Sequence, residues 1–338
     1  MPENTPKTLH GFRKGPKPAL FCGILILVVL TYVTFWNSNL LFNHLHEINR
    51  AAESSLDEGT GSGFFMFIET AGHDSLNARQ ACAIESASLH HPTFTVRFFV
   101  TAPPSNSCTY FNLLRQISNI KIKFVNVEQV LAGTPLEYWY RSPQRQQSPF
   151  AVSHLSDALR FFMLWRYGGI YADTDVIVKS PMSGLRNTLG KEHAAGMGSA
   201  VLVLDREQPF LADAVHNFAE TYQPYDWDYN GPGLLNRMLQ KRCPGAWNVT
   251  DASLTCGNIT VLSSSAFFAV PFPMWEMFFN LSRTEEVLQV TRNSYAVHFW
   301  NNLSKNTKVI VGSGAAYDVL ARTNCPKVYE VMRTMGYF

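Results

Sequence analysis

Charged residues are scarce in this sequence. They make up 16% of the chain, against roughly a quarter in an average globular protein, and the net charge at pH 7 is only +2. No run of lysine and arginine is interleaved with aromatic residues, so the chain lacks the basic surface with which proteins hold nucleic acid. Nucleic acid is therefore excluded as a partner. A disordered chain is excluded as well, because 46% of the residues are apolar.

The sequence also lacks two common metal-binding patterns. None of the six cysteines forms a C-x-x-C pair, which excludes a zinc cage of the usual spacing. No acidic segment provides the ligands and the glycine of an EF-hand loop. No internal repeat is present either, so the chain is not a solenoid.

The N-terminal region contains a long apolar run without charge. Residues 19–36 read ALFCGILILVVLTYVTFW, and as a helix they would span about 27 Å, close to the hydrocarbon thickness of an early secretory membrane. A core helix would carry a polar face, and a cleaved signal peptide would have a shorter apolar stretch and a small-residue cleavage site. The run has neither feature, so we predict a retained membrane anchor.

The charges that flank this run set its orientation. Four cations precede it, whereas the first charges after it are Glu47 and Arg50; the cations are Lys7, Arg13, Lys14 and Lys17. This bias places the N-terminus in the cytosol. Polar, glycine-rich residues follow the run and resemble a stem. We therefore predict a cytosolic tail (1–18), a transmembrane signal-anchor (19–36), a stem (37–62) and a luminal domain (63–338).

Cysteines and sequons are those of a luminal domain. Cys243 and Cys256 are close together and flanked by turn residues, which predicts a local disulfide. Cys82 with Cys108 is the second predicted pair, and it leaves Cys325 unpaired. Glycosylation sequons occur at Asn248, Asn258, Asn280 and Asn302.

From Phe64 onward, predicted strands and helices alternate. The predicted strands are 64–69, 94–100 and 121–127, and the helices between them are 75–90, with Asp74 as its cap, and 110–118. Such alternation is typical of a parallel α/β sheet. Glu69 and Thr70, at the end of the first strand, are placed to meet a ligand at the carboxyl edge of this sheet.

A further helix is predicted from Ser148, its N-cap, and Pro149, its first residue, to the Gly168-Gly169 stop. Apolar residues occur on all of its sides, so we expect it to be buried. Asp157 and Arg160 lie three residues apart and share one face. Taken alone, they are best interpreted as an internal ion pair.

The segment Gly169–Val178, GIYADTDVIV, reads as an apolar strand that contains two carboxylates. Strand alternation would direct Asp173 and Asp175 to the same face. Two like charges on a buried strand are costly unless a cation lies between them, and Mn²⁺ or Mg²⁺ with a diphosphate matches such oxygen ligands. The alternative is a strand end with two solvated acids.

Several motifs together resemble a known family. The chain is similar to the α-1,4-glycosyltransferases, which have a DxD sugar-nucleotide site. The resemblance runs from about residue 64 to the C-terminus. Its motifs are Ser156-Asp157-x-x-Arg160, Gly168-Gly169-x-Tyr171-x-Asp173-x-Asp175, Pro135-Leu136-x-x-Trp139-Tyr140, Gly231-Pro232-x-Leu234-Leu235, Cys243, Cys256, Tyr295-Ala296-Val297-His298-x-Trp300-Asn301 and Cys325-Pro326.

The resemblance implies a single α/β domain of the GT-A type and retaining transfer from a UDP-α-sugar. Asp173 and Asp175 match the metal-diphosphate motif, and Asp157 and Arg160 match the pair that holds the hydroxyls of the donor sugar. The chain departs from the family pattern at Gly233, where glutamine is usual, and at Ala172, where leucine is usual.

Other site residues are predicted in the same terms. His298 is a candidate third metal ligand, although a histidine in such an apolar strand is also typical of a core. Three sets complete the predicted site. The nucleotide-sugar set is Glu69, Thr70, Asp157, Arg160, Tyr171 and Asp173, and the acceptor set is Gly231, Pro232, Trp300 and Asn301. Trp227 and Tyr229, with Trp300, are predicted surfaces on which a sugar could stack.

The predicted function is α-1,4 transfer of galactose or an N-acetylhexosamine to a galactose-type acceptor on a glycolipid, at a Golgi membrane, with same-face attack preferred to a covalent intermediate. Alternatives are a transferase that acts on protein-linked glycans with another sugar nucleotide, and a non-catalytic glycan-binding relative. The intact acids argue against the last. Self-association into a homo-oligomer stays open.

Overall fold

The computed structural model describes residues 63–244 and 250–338. The predicted tail, anchor and stem and the Asn248 sequon lie outside these residues. Within the described part of the chain, no helix is both long and apolar enough to cross a lipid bilayer.

In residues 63–244 and 250–338, ten strands form two sheets. The strands are β1 (Phe64–Glu69), β2 (Thr95–Val100), β3 (Ile120–Phe124), β4 (Gly169–Ala172), β5 (Val176–Val178), β6 (Thr188–His193), β7 (Gly196–Leu204), β8 (Leu254–Cys256), β9 (Ile259–Leu262) and β10 (Ala296–His298). The main sheet has the order β3-β2-β1-β4-β7-β6-β9-β8, and its first four strands are parallel. β5 and β10 form a separate antiparallel pair. The α/β class and the mainly parallel sheet are confirmed.

Helices surround these sheets. They are α1 (Ala78–His90), α2 (Thr109–Arg115), α3 (Val127–Leu131), α4 (Leu136–Arg141), α5 (Pro143–Gln147), α6 (Ala151–Tyr167), α7 (Pro209–Thr221), α8 (Pro232–Arg242), α9 (Thr284–Val290), α10 (Asn301–Ser304), α11 (Ala316–Asn324) and α12 (Pro326–Met335). Short 3₁₀ turns occupy Ser264–Ala266, Phe272–Phe278 and Leu281–Arg283.

Helix α1 connects the main sheet to the small one. Its buried face is rich in alanine, which permits a close approach. The hydroxyl of Ser86 accepts a hydrogen bond from the Val178 amide at 2.9 Å, which holds β5 against the helix. The chain that follows Asp175 is thereby fixed to α1.

Two helix starts differ from their prediction. α1 begins at Ala78, where Asn77 and Gln80 form a reciprocal capping box, so Asp74 is not its cap. α6 begins at Ala151 with Phe150 as N-cap, because the Ser148 hydroxyl instead accepts from the Phe150 amide in a turn before the helix. Both errors concern which of several polar residues caps a helix.

The pairing of the cysteines is partly as predicted. The Cys243–Cys256 disulfide is present. The Cys82–Cys108 prediction is wrong: Cys82 pairs with Cys325, 243 residues away, and Cys108 is free. The physical reason is packing, because the C-terminal helices α11 and α12 cover the face of α1 that carries Cys82.

Three sequon asparagines lie in the described residues, and all three are exposed: Asn258, Asn280 and Asn302. Exposure is required of a glycan acceptor. Their glycosylation stays a prediction.

Candidate active site

The chain passes from one sheet to the other at the two acids. The Asp173 amide donates to Ala200 O at 2.9 Å and extends the pairing of β4 with β7, whereas the Val176 amide donates back to Asp173 O at 3.1 Å. The prediction of one continuous strand over 169–178 is wrong. Asp173 and Asp175 approach each other through a turn rather than by strand alternation.

The small sheet brings His298 to the same place. In the β5–β10 register His298 lies opposite Val176, next to Asp175. One potential ligand atom from each of Asp173, Asp175 and His298 lies within 4.8 Å of the others. His298 Nε2 is 3.2 Å from Asp175 Oδ2. The three predicted metal ligands are therefore adjacent in space.

Asp175 and His298 stabilise each other's charge. Burial favours a higher pKa for Asp175, but His298 and the Asn301 amide outweigh it and lower the pKa below its ordinary value. Burial likewise favours a lower pKa for His298, but Asp175 and Asp173 outweigh it and raise the pKa. Both shifts favour an ion pair between the Asp175 carboxylate and a protonated His298 imidazole.

The donor set fits a divalent cation. Two carboxylates and an imidazole suit Mn²⁺, and Mg²⁺ with more water. His298 Nδ1 is buried and has no hydrogen-bond partner in the described residues, so the imidazole has a ring nitrogen to spare. A ligating imidazole is neutral, so a bound cation would replace the proton of the ion pair.

Arg160 links Asp173 to Asp157. One guanidinium nitrogen is 3.2 Å from Asp173 Oδ1 and 3.3 Å from Asp157 Oδ1. The other terminal nitrogen donates to Ser199 O at 2.8 Å and locks the orientation of the group. Burial would lower the pKa of Arg160, but the surrounding acids and Tyr171 raise it, so this cation is permanent.

Tyr171 holds the Asp173 carboxylate by a hydrogen bond. Its hydroxyl donates to Asp173 Oδ1 at 2.5 Å and lies 3.2 Å from the Ser156 hydroxyl. The side chain is buried, so Tyr171 contributes to the predicted nucleotide-sugar site by holding Asp173 and not through an exposed surface of its own. Burial raises the pKa of Asp173, with Arg160 opposing the change.

Asp157 lies against the backbone of the predicted acceptor segment. A Cβ on Gly231 would come within 2.5 Å of Asp157 Oδ1, so only glycine permits this approach. Burial raises the pKa of Asp157 to about 6, with Asp173 and Asp228 contributing and Arg160 opposing. The carboxylate is therefore still mostly ionised at neutral pH and can accept hydrogen bonds from a sugar.

Buried His154 ties that segment to α6. Its Nδ1 is 2.9 Å from the Tyr222 hydroxyl, and its Nε2 is 3.1 Å from Asp226 O and 3.2 Å from Asn230 Nδ2. The 222–231 loop and Asp157, one turn further along the same helix, are thus held in one frame. Neither the histidine nor this role was predicted.

Trp300 and Asn301, the other two residues predicted to bind the acceptor, lie beside His298 and Asp175. Gly231 lies instead against Asp157. Trp300 is only 8% exposed, and its indole packs on His298 and donates to Val270 O at 2.9 Å. Asn301 donates its backbone N–H to Asp175 Oδ2 at 2.7 Å. Both residues therefore contact predicted metal ligands, Trp300 through His298 and Asn301 through Asp175. Trp227 is more exposed, at 46%.

Glu69 and Thr70 lie at the carboxyl end of β1 as expected, but both are engaged by the protein. The Glu69 carboxylate accepts from the amides of Ala71, Gly72 and His73. Thr70 donates its hydroxyl to Val152 O at 3.0 Å. These contacts shape the loop after β1 and join it to the start of α6.

Two acids that the sequence did not indicate approach the site. Burial raises the pKa of Glu192, on β6, to about 7, with Asp228 adding to the shift and His298 opposing it. A Cβ on Gly233 would lie 2.9 Å from Asp228 Oδ2, so this carboxylate occupies space that a larger residue at 233 would need. The departure from the family at Gly233 was the available signal for Asp228; Glu192 belongs to no motif.

Two family descriptions match the chain. The description "alpha 1,4-glycosyltransferase conserved region" matches residues 203–332, and "glycosyltransferase sugar-binding region containing DXD motif" matches residues 77–195. Among solved structures, PaToxG glycosyltransferase aligns at a TM-score of 0.43 and 16% identity over 64% of this chain and 81% of that chain.

Curated relatives have specific activities. Lactosylceramide 4-alpha-galactosyltransferase of Mus musculus is 32% identical over 80% of this chain and 76% of its own length. Alpha-1,4-N-acetylglucosaminyltransferase of Homo sapiens is 31% identical over 78% of this chain and 79% of its own length. The chain belongs to the α-1,4-glycosyltransferase family, and it is a hexosyltransferase.

Proposed function

We propose that the protein is a retaining α-1,4-hexosyltransferase that moves galactose or an N-acetylhexosamine from a UDP-sugar to a galactose-type acceptor on a glycolipid. The observation that carries the proposal is the convergence of Asp173, Asp175 and His298 within 4.8 Å, next to the Asp157–Arg160 pair. A glycan-binding module has no need for this arrangement. The domain has the GT-A type of fold in this proposal.

Asp173, Asp175 and His298 would hold a divalent cation, Mn²⁺ or Mg²⁺, which stabilises the charge that develops on a UDP leaving group. Arg160 contributes a fixed positive charge at the same place. It cannot turn toward solvent, because Ser199 and the two acids bind it. This preorganised charge acts where negative charge builds up in the transition state.

Asp157 is assigned to the donor sugar. Its carboxylate is buried, is oriented by Arg160 and faces the Gly231 backbone, so it can accept a hydrogen bond from a sugar hydroxyl. In a same-face attack the departing phosphate takes the acceptor proton, and the chain needs no separate base. Charge at the anomeric carbon would be oxocarbenium-like, as in glycoside hydrolysis.

The sequence and the relatives support the proposed location and acceptor. Residues 19–36 would anchor the protein in a Golgi membrane with residues 63–338 in the lumen. A relative whose name specifies lactosylceramide supports a glycolipid acceptor. A membrane-anchored enzyme and a lipid-linked acceptor would also lie at the same membrane surface.

The test is calorimetric titration of UDP into the full-length protein at increasing Mn²⁺, for the parent and for Asp173→Asn and Asp175→Asn. The parent should bind UDP in a manner that depends on Mn²⁺, and both variants should bind it more weakly. If both variants bind Mn²⁺–UDP as the parent does, the proposed metal site is wrong.

The donor sugar requires a separate assay. The two relatives differ in donor, galactose against N-acetylglucosamine by name, yet match this chain almost equally. Hydrolysis of a panel of UDP-hexoses and of GDP-mannose by the full chain, with and without Mn²⁺, should single out one UDP-sugar. Turnover of GDP-mannose alone would favour the alternative with another sugar nucleotide.

A further inference from the structure

The segment that follows β10 holds Asp175 in an unusual way. Trp300 has a left-handed backbone, with φ 53°, a conformation that is strained for a residue other than glycine. The reversal turns the Asn301 amide toward Asp175 Oδ2, 2.7 Å away. Such strain persists only where surrounding contacts enforce it.

Arg79, on the first turn of α1, provides such contacts to the segment that follows Trp300. One terminal nitrogen is 3.0 Å from Ser304 O, 3.3 Å from Ser304 Oγ and 3.5 Å from Asn301 Oδ1. The other terminal nitrogen donates to Thr307 O. A single guanidinium thus ties together both ends of the 301–307 segment, more than 220 residues away in the sequence.

Stacking fixes the plane of this guanidinium. Its central carbon lies 5.1 Å from the centre of the Phe279 ring and 5.2 Å from that of Tyr317. Arg79 is 7% exposed, and in the described residues its hydrogen-bond acceptors are carbonyl, amide and hydroxyl oxygens rather than carboxylates. Its contacts thus serve the shape of the segment and not an ion pair.

We propose that Arg79 is a positioning residue for the metal site: it holds the 301–307 segment so that the Asn301 amide fixes the Asp175 carboxylate for cation binding. The inference rests on the proposed function for its metal readout. A lysine would keep the positive charge but not the planar fork that reaches two separate carbonyl groups. Arg79→Lys therefore separates geometry from charge.

The test uses the full-length protein, Arg79→Lys, and the matched control Arg97→Lys. Arg97 is also buried and stacks on the Phe64 and Tyr167 rings, but it lies on β2. Free Mn²⁺ is measured by electron paramagnetic resonance in the presence of UDP. We expect the Mn²⁺ dissociation constant to rise about tenfold in Arg79→Lys and to be unchanged in Arg97→Lys. Turnover at saturating Mn²⁺ should stay close to that of the parent.

A second measurement does not depend on the metal. Amide hydrogen exchange in residues 299–308 should accelerate in Arg79→Lys but not in Arg97→Lys. Ser304→Ala removes one acceptor of Arg79 and also the hydrogen bond that the Ser304 hydroxyl donates to Phe299 O. It should shift both readouts in the same direction, and it tests the same segment if Arg79→Lys does not fold.

The outcomes distinguish the positioning role of Arg79 from the proposed metal site. Unchanged exchange and unchanged Mn²⁺ affinity in Arg79→Lys would overturn the positioning role, as would equal changes in the Arg97→Lys control. A parent protein that binds no Mn²⁺ with UDP contradicts the proposed metal site itself, and it also overturns the role of Arg79 at that site even if the exchange result holds.

Discussion

The two acids of the motif are two residues apart, yet they are supported in opposite ways. Asp173 is bound by side chains of one region, Arg160 of α6 and Tyr171 of β4, and burial raises its pKa. Asp175 is bound by the C-terminal region, through the Asn301 amide and His298, and its pKa is lowered. In the proposed site, Asp175 would be the stronger source of charge for a cation, and Asp173 would connect the cation to the residues proposed to bind the sugar.

The two disulfides differ in the length of chain that they close, and the largest expected effect distinguishes them. Cys82–Cys325 closes a sequence separation of 243 residues and Cys243–Cys256 one of 13. In the chain-entropy model, removing the Cys82–Cys325 disulfide lowers the free energy of unfolding by about 5 kcal/mol, and removing the Cys243–Cys256 disulfide lowers it by about 3 kcal/mol. Urea unfolding of the double alanine variants, Cys82→Ala with Cys325→Ala and Cys243→Ala with Cys256→Ala, measures both.

Peptide mapping without reduction provides the control for this prediction. It should recover Cys82 joined to Cys325 and leave Cys108 as a thiol. Equal destabilisation by the two double variants would mean that the unfolded chain is already compact, so that loop length does not matter.

The second prediction concerns the acids themselves. Asp175→Asn should lower turnover on the order of a few hundredfold, which is 3–4 kcal/mol of lost charge stabilisation. Asp173→Asn should lower turnover to a similar extent but raise the Mn²⁺ dissociation constant less, because Arg160 already shares the charge of Asp173. If Asp173→Asn weakens Mn²⁺ binding more than Asp175→Asn, the difference in roles is reversed.

The third prediction tests the sugar side alone. Asp157→Asn should lower transfer about 10–100-fold, the value of a hydrogen bond to a charged group. Metal-dependent UDP binding should stay nearly intact, because the assigned partner of Asp157 is the sugar. Calorimetry with UDP beside a steady-state transfer assay separates these effects; loss of UDP binding would place Asp157 at the nucleotide.

The smallest expected effect is on the pH dependence of stability. Two histidines among the described residues are buried and lie outside the predicted metal ligands. They are His91, whose Nε2 accepts from the Met182 amide just after β5, and His154, which holds the 222–231 loop. Burial lowers the pKa of both. Their contribution to stability is therefore full above the unfolded value of about 6.5 and is lost as the pH falls below it toward the folded values.

His91→Gln and His154→Gln should each flatten the decline of the melting temperature between pH 7 and pH 5. Only His154→Gln should also raise the KM for the donor, because that side chain holds the loop beside Asp157. An unchanged pH slope in both variants would assign the acid sensitivity to carboxylates.

Local patterns predicted much of this molecule. The apolar runs of β1 and β2, the buried α6 and the Asp157–Arg160 pair follow from composition and spacing, and motifs pointed to His298 as well. The sequence misled where distance in the chain matters. Strand alternation was the wrong reason for the convergence of Asp173 and Asp175, because the chain changes sheets there. The partner of Cys82 depends on helices that pack 243 residues later.

Glu192 shows another limit of sequence patterns. It reaches the site from β6, whose pairing with β7 shifts register between Lys191 and His193. A bulge of this kind redirects side chains by one position, and no spacing rule in the strand indicates it. Asp228, by contrast, is connected to a visible anomaly, the glycine at 233.

The change of sheet between Asp173 and Asp175 also affects how ligand binding and stability are coupled. Asp173 continues a strand of the large sheet, whereas Asp175 directly precedes β5 and His298 lies on β10, the two strands of the small sheet. A cation shared by the three would be a reversible cross-link between two separately hydrogen-bonded layers. Its binding energy would oppose any motion that separates them, and stability would rise by about 2.7 kcal/mol at a ligand concentration one hundred times the dissociation constant. The rise in melting temperature with Mn²⁺–UDP should therefore measure how strongly the cation joins the two sheets as well as how tightly the nucleotide binds.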